Sequence, residues 1–267
     1  MATGFPDAVA GTPERDRVVD LAESVVRGLG YRVTSTDSPA ACTLECRYRN
    51  LLGTGDQLKI DLDILNRETL LPSQMLPGPK PFFADDVRFP VLGEAELLGQ
   101  KLVAVAYRAH PRDLYDMYQM LLAGWAQRPH ARAMYLAYSF LQDHDWYRLD
   151  YPARLDVEYR PRLLEDVLRE KDFAPSLAEI RTVARDALHR ATPPFTRATP
   201  EEQVLRTMLL QGVKVAFADL IGEQDARRRK ALAEHPGLAW RLEQARRPSL
   251  RSLHEHQSTS RGPGNPP

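Results

Sequence analysis

The chain has 267 residues, 43% of them hydrophobic and 27% charged, and its 36 Lys+Arg balance its 36 Asp+Glu to a formal net charge of zero. That length supports one large domain or two modest ones with ample core, in an ordinary globular composition. Zero net charge excludes a global basic field, so any nucleic-acid binding must rest on a local patch, and no apolar run is long enough to span a bilayer.

The first dozen residues, rich in Gly, Pro and Ala, are expected to be unstructured. Thr12-Pro13-Glu14 predicts a helix start, with Thr12 as cap and Pro13 in the first turn, running to Gly28 or Gly30. Val18, Leu21, Ala22, Val25 and Leu29 form its apolar face. Strands are predicted over 31–36, 42–49 and 58–65, the last two joined by the hairpin turn Gly53-Thr54-Gly55-Asp56. Cys42 and Cys46 fall on one face of the second strand, about 13 Å apart and too far to bridge. Free thiols fit a reducing cytosol, and with no charged-then-apolar leader recognisable the expected location is the cytoplasm. Residues 72–90, with five prolines, predict a meandering loop, and Phe89 marks the start of one brief strand over 89–92.

Beyond Gly93 the pattern is helical, with helices predicted near 94–109, 111–125, 129–142, 160–171, 176–191, 200–222 and 224–246. Ser176 caps one of these, and Thr199, followed by Pro200 and Glu201, caps another. Residues 192–199 are expected to form a linker, and the chain from about 252 a disordered tail. The predicted fold is α+β: a small N-terminal sheet with helices over 1–93, a mostly helical region over 94–250 and a tail over 251–267.

Two stretches carry chemistry. In Lys59-Ile60-Asp61-Leu62-Asp63-Ile64 the acids stand at i and i+2 on one strand face, where they can share a divalent cation such as Mg²⁺ through oxygen ligands. The same pattern also describes the solvated face of a half-exposed strand. In the second stretch, Leu97, Leu98, Leu102, Val105 and Ala106 recur at helical spacing, and Lys101 emerges at the edge of that stripe. Pro111 suits the first turn of the next helix, which opens with Arg112-Asp113 and carries Asp116 on the same face as Asp113. A fixed cation near two carboxylates suits a triphosphate and its metal, and equally an ordinary salt-bridged helix corner.

Other features point to less. His110, His130 and His144 make no ligand spacing, Ser139 and Ser176 lie in no nucleophile elbow, and the glycines form no P-loop. Arg227-Arg228-Arg229-Lys230, with Arg241, Arg246 and Arg247, is a basic cluster that reads as a solvated face or a phosphate track. Tyr135, Tyr138, Phe140, Trp146 and Tyr147 read as core.

Together the two stretches resemble the AbiEii-type nucleotidyltransferase toxins of bacterial toxin–antitoxin and phage-defence systems, within the polymerase-β-like nucleotidyltransferase superfamily. The Lys-hydrophobic-Asp strand of that family matches Lys59-Ile60-Asp61, its Glu-Leu-Leu-x-x-Lys helix matches Glu96 to Lys101, and its Arg-Asp-x-x-Asp element matches Arg112 to Asp116. The resemblance covers residues 13–122 and is architectural beyond them. It implies a nucleotidyltransferase that moves a nucleoside monophosphate from an NTP to an acceptor, with RNA such as tRNA the implied acceptor and a cognate antitoxin the implied partner. It further implies Asp61, Lys101 and Asp113 as catalytic residues, Lys101 and Arg112 as nucleotide-binding, and Asp61 with Asp63 as ligands to Mg²⁺. The family also carries an upstream Gly-Gly-Thr or Gly-Ser element and an Asp-x-Asp strand; nothing before Thr12 matches these, and Asp7 stands alone. The expectation is that the chain begins just after that element. The alternative expectation is accordingly a catalytically inactive, truncated homologue acting as a nucleotide-binding or antitoxin-interaction module.

Overall fold

A computed structural model describes residues 13–38, 41–66, 68–78, 80, 83–84, 86–108, 110–142, 175–195 and 197–246. The protein is α+β and divides into two compact units, Met1–Glu96 with Glu234–Gly237, and Leu97–Ala233 with Leu238–Pro267. The predicted cap Thr12, the predicted helix over 160–171 and the predicted tail lie outside the described residues, as do Asp7, His144, Trp146, Tyr147 and Arg247.

The first unit opens with helix α1 (Pro13–Gly28), which has Glu14 and Asp16 in its first turn and Arg27 in its last, complementing the helix dipole. It packs on an antiparallel meander of β1 (Arg32–Asp37), β2 (Ala41–Arg49) and β3 (Gly55–Asp63), in that spatial order. Val26, Val33, Cys42, Leu44 and Cys46 form the core between them, with Val19, Ala22, Ile60 and Leu62 around it. The buried arc of α1 therefore runs through positions 19, 22 and 26. Leu21, Val25 and Leu29, placed on the buried face by the sequence pattern, are 61%, 54% and 71% exposed. Both thiols are free and buried in this core, and desolvation raises that of Cys42 above its ordinary range despite the opposing charge of Arg15.

The β2–β3 turn closes where expected. Gly53 takes φ +77°, which favours glycine, while Asn50 Oδ1 accepts from the Leu52 and Thr54 amides at 3.0 and 3.1 Å. Residues 72–90 are not a plain loop, because β4 (Gln74–Pro77) pairs antiparallel with β5 (Arg88–Val91). Pro77 and Pro90 argued against strands, yet a two-stranded ribbon consists only of edges, where proline is tolerated.

The second unit is helical. Helix α2 (Glu94–Arg108) begins in the first unit and continues here, followed by α3 (Pro111–Leu122), α4 (Ala131–Leu141), α5 (Leu177–Arg190) and α6 (Pro200–Leu210). Leu98, Leu102, Leu114, Met117, Met134 and Ile180 are fully buried. Tyr135, Tyr138 and Phe140 join them as the core aromatics the sequence pattern requires. At Gly99 an added Cβ would meet the Met134 and Tyr135 backbone at 2.8 and 2.9 Å, so glycine sets the close approach of α2 and α4.

The long helix predicted over 200–222 is interrupted. It ends at Leu210, Gly212 adopts φ +70°, and only the short α7 (Phe217–Leu220) follows. The helix predicted over 224–246 is divided into α8 (Ala226–Ala233) and α9 (Pro236–Arg246), with Pro236 opening the second. The predicted linker at 192–199 is instead anchored. Phe195 is 3% exposed and its ring lies 5.8 Å from that of Tyr135, while Arg132 donates to the carbonyls of Pro193, Pro194 and Arg197 and to the Glu202 carboxylate. Glu202 also completes the capping box of α6, accepting from the Thr199 amide at 2.8 Å.

Candidate functional site

Two groups of side chains, one in each unit, correspond to the chemistry-bearing stretches. In the second unit His110 caps α3, its ring accepting from the Arg112 amide at 3.3 Å, and Pro111 occupies the first turn. This start places Asp113 in the positive first turn of α3 and Asp116 one turn on. Lys101, projecting from α2 between the buried Leu98 and Leu102, donates to Asp113 Oδ1 at 2.9 Å and to Asp116 Oδ2 at 2.8 Å. Asp113 is 4% exposed, whereas half the Asp116 side chain reaches solvent. The salt-bridged corner is thus present in full.

Its electrostatics limit what it can do. Burial draws the Lys101 amine down, but the hydrogen bonds and charges of Asp116 and Asp113 outweigh that and hold it above its ordinary value of 10.5. It is a permanent cation at neutral pH and not a proton acceptor. An ammonium has three donors, and with two committed one remains for a ligand oxygen. Two carboxylates on one ammonium leave the trio with excess negative charge, which suits an anion that arrives with its own metal better than a bare phosphate. Arg112 is exposed, and its side chain makes no hydrogen bond or ion pair among the described residues, so it is the cation of this corner still open to a ligand.

In the first unit β3 exposes Asp61 and Asp63 on one face while Ile60 and Leu62 turn to the core, the alternation its sequence dictates. The register sets Asp61 opposite Thr43, whose hydroxyl donates to Asp61 Oδ1 at 2.6 Å. Thr43 is a neighbour that sequence reasoning missed; its only signal was a place in the alternation of β2. Asp63 accepts from the Asn66 amide at 3.0 Å and from Asn66 Nδ2 at 2.7 Å, so it also shapes the turn that ends the strand.

These donors fit a hard divalent ion. Mg²⁺ binds through one or two carboxylates, keeps waters and takes further oxygens from substrate phosphates. Asp61, steadied by one hydroxyl and with its second oxygen making no hydrogen bond among the described residues, would be the better ligand, and Asp63 the accessory one. Among the described residues no group of three or more His, Cys, Asp and Glu is gathered to hold a metal by itself.

Glu96 has a different part. It is fully buried, and its two carboxylate oxygens accept from the Leu70 and Leu71 amides at 2.8 and 3.0 Å, pinning the loop after β3 to the start of α2. Two of the four basic residues on α8 are engaged internally. Arg228 pairs with Glu223 at 2.7 Å, and Arg229 donates to Asp219 and, at 2.8 Å, to the Glu223 carbonyl.

A three-stranded meander bearing paired strand acids is thus followed in the chain by helices bearing a lysine and an Arg-Asp corner. A family model described as the nucleotidyl transferase AbiEii toxin of a type IV toxin–antitoxin system matches residues 7–206, and the chain belongs to that family. Membership implies a cognate antitoxin as partner. No curated protein and no solved structure matches the chain. Among the described residues no helix is long and apolar enough to cross a membrane.

Proposed function

We propose that this toxin acts in the cytoplasm as a nucleotidyltransferase, moving a nucleoside monophosphate from an NTP onto a hydroxyl of an RNA acceptor, such as tRNA, with release of pyrophosphate, in a system that serves phage defence. Asp61, with Asp63 beside it, would hold Mg²⁺, which when bound neutralises developing phosphate charge and favours the attacking oxygen. Lys101 binds a phosphate oxygen through its remaining donor, Arg112 adds a second cation, and Asp113 positions Lys101 by holding it against the end of α3. The ordered occurrence of the Lys59–Asp61 strand, the Glu96–Lys101 helix and the Arg112–Asp116 corner in a chain of this family carries the reading.

Incubation of the full chain with each labelled NTP, Mg²⁺ and total RNA tests it. Labelled RNA is expected with at least one NTP, removed by chelation and by Asp61→Asn or Lys101→Ala. NTP binding should itself depend on Mg²⁺, given the negative balance of the corner. Absence of product with every NTP, alongside NTP binding that survives Asp61→Asn, would favour a nucleotide-binding module without turnover.

A further inference from the structure

The register of the β1–β3 sheet orders the face turned away from α1. The row Arg32–Arg47–Gln57 lies at one end and the row Thr36–Thr43–Asp61 at the other. Along β3 these rows are four residues apart, about 13 Å. Arg32 and Arg47 stand directly opposite each other on neighbouring strands, a like-charge pair, and Glu45 in the next row of that face is shared between Arg47 at 3.9 Å and Lys59 at 3.4 Å. Arg49 extends the patch by one alternation. Arg32 and Arg49 make no hydrogen bond or ion pair among the described residues, and Arg47 has only a distant contact with Glu45 at 3.9 Å. A cavity of about 920 Å³ opens at this end of the sheet, lined by all three arginines and Gln57. Asp56 also lines it, but its carboxylate is engaged by the Tyr48 hydroxyl at 3.2 Å and the Gln57 amide at 2.8 Å.

We infer that Arg32, Arg47 and Arg49 form the binding site for the phosphate backbone of the acceptor RNA, leading its terminal hydroxyl along the same sheet face to Asp61. The inference rests on the transferase reading and supplies the acceptor side of it. The arginine row begins four residues, about 13 Å of strand, from Asp61, an interval that successive phosphates of a polynucleotide backbone can follow. The zero net charge of the chain makes such a local patch the form that RNA affinity must take. Neither the family description nor its motifs include these arginines.

Anisotropy of a fluorescent oligoribonucleotide, titrated with the full chain over a range of salt concentrations, tests the site. Arg32→Gln, Arg47→Gln and Arg49→Gln are each expected to weaken binding roughly three- to tenfold and to flatten the log–log salt dependence by about 0.7. Arg49→Lys should retain most of the affinity, and NTP affinity should be unchanged in the arginine variants. Thermal melts identify any variant that fails to fold, and the exposure of all three arginines predicts none. Parent-like RNA affinity in the triple variant overturns the inference, as does loss of NTP binding in place of RNA binding, or displacement of RNA by inorganic phosphate at equal phosphate concentration. The two readings fail separately. RNA binding that depends on the arginines with no labelled product sinks the transferase and leaves the RNA site, while product formed by the triple variant at the parent KM for RNA does the reverse.

Discussion

Asp113 and Asp61 carry the same functional group in opposite settings. Asp113 is 4% exposed, held by Lys101 at a helix corner above fully buried Leu114 and Met117, whereas Asp61 stands in solvent with one threonine hydroxyl for support. A carboxylate of the first kind is tied to folding, because removing its cation takes a charged partner from a buried group. A carboxylate of the second kind is nearly free of stability duties. The comparison teaches which substitutions report on chemistry and which report on structure.

The largest effect is expected at the corner. Lys101→Ala should cost about 2–4 kcal/mol, measured by urea denaturation, because Asp113 keeps its burial and loses its ammonium. Adding Asp113→Leu to Lys101→Met should restore most of that loss, since replacing both charges by apolar groups removes the stranded one. A Lys101→Ala loss below about 0.5 kcal/mol would erase the distinction between the two regions.

Next stands Glu96→Gln, at about 2–3 kcal/mol in the same measurement. The carboxylate accepts from two amides, and a carboxamide must present its own N–H to one of them. This variant separates the anchoring part of the Glu-Leu-Leu-x-x-Lys motif from the part proposed to bind phosphate, because Lys101 itself is untouched.

The parts of this arrangement legible in the sequence are those written in local periodicity. Lys101, Asp113 and Asp116 lie within 12 and 15 residues of one another, so helix phase and a proline start suffice to bring them together. Strict alternation in β3 likewise placed Asp61 and Asp63 on the outer face. Cross-strand partners were hidden, because Thr43 opposite Asp61 and Arg32 opposite Arg47 depend on a register that pattern alone leaves open. Arg132 and Glu202 are 70 residues apart, so the anchoring of the supposed linker was invisible to any window of helical length. The rotated face of α1 has a plainer cause: six apolar positions on one helix, Val18, Val19, Leu21, Ala22, Val25 and Val26, outline an arc wider than the sheet beneath can cover.

A smaller effect follows from pH. The Tyr118 hydroxyl donates to Glu179 at 2.7 Å, and this bond, with burial and the carboxylate charge behind it, pushes its pKa up to about 12. A folded-state pKa raised above the unfolded one stabilises the protein fully below the unfolded value of 10.0, and that contribution is lost as pH rises through about 12. The raised Lys101 amine has the same sign. Stability should therefore decline on the alkaline side of pH 10, and Tyr118→Phe should remove part of the slope. Tyrosinate absorbance checks the assignment, since Tyr118 should titrate after the exposed tyrosines, and titration with them would refute it.

The smallest stability effect belongs to Asp61→Asn. The carboxamide oxygen can still accept from Thr43, the side chain is exposed, and β3 keeps its core-facing Ile60 and Leu62, so a change within about 0.5 kcal/mol is expected. Loss of one negative charge beside Asp63 also relieves a like-charge neighbour. Nucleotidyl transfer should nevertheless disappear, because an amide is a poor ligand for a hard dication. A melt superimposable on the parent combined with no product is the signature of a carboxylate retained for chemistry. A parent-like yield of labelled RNA from Asp61→Asn would instead make this strand face an ordinary solvated surface and leave the Lys101 corner as structure alone.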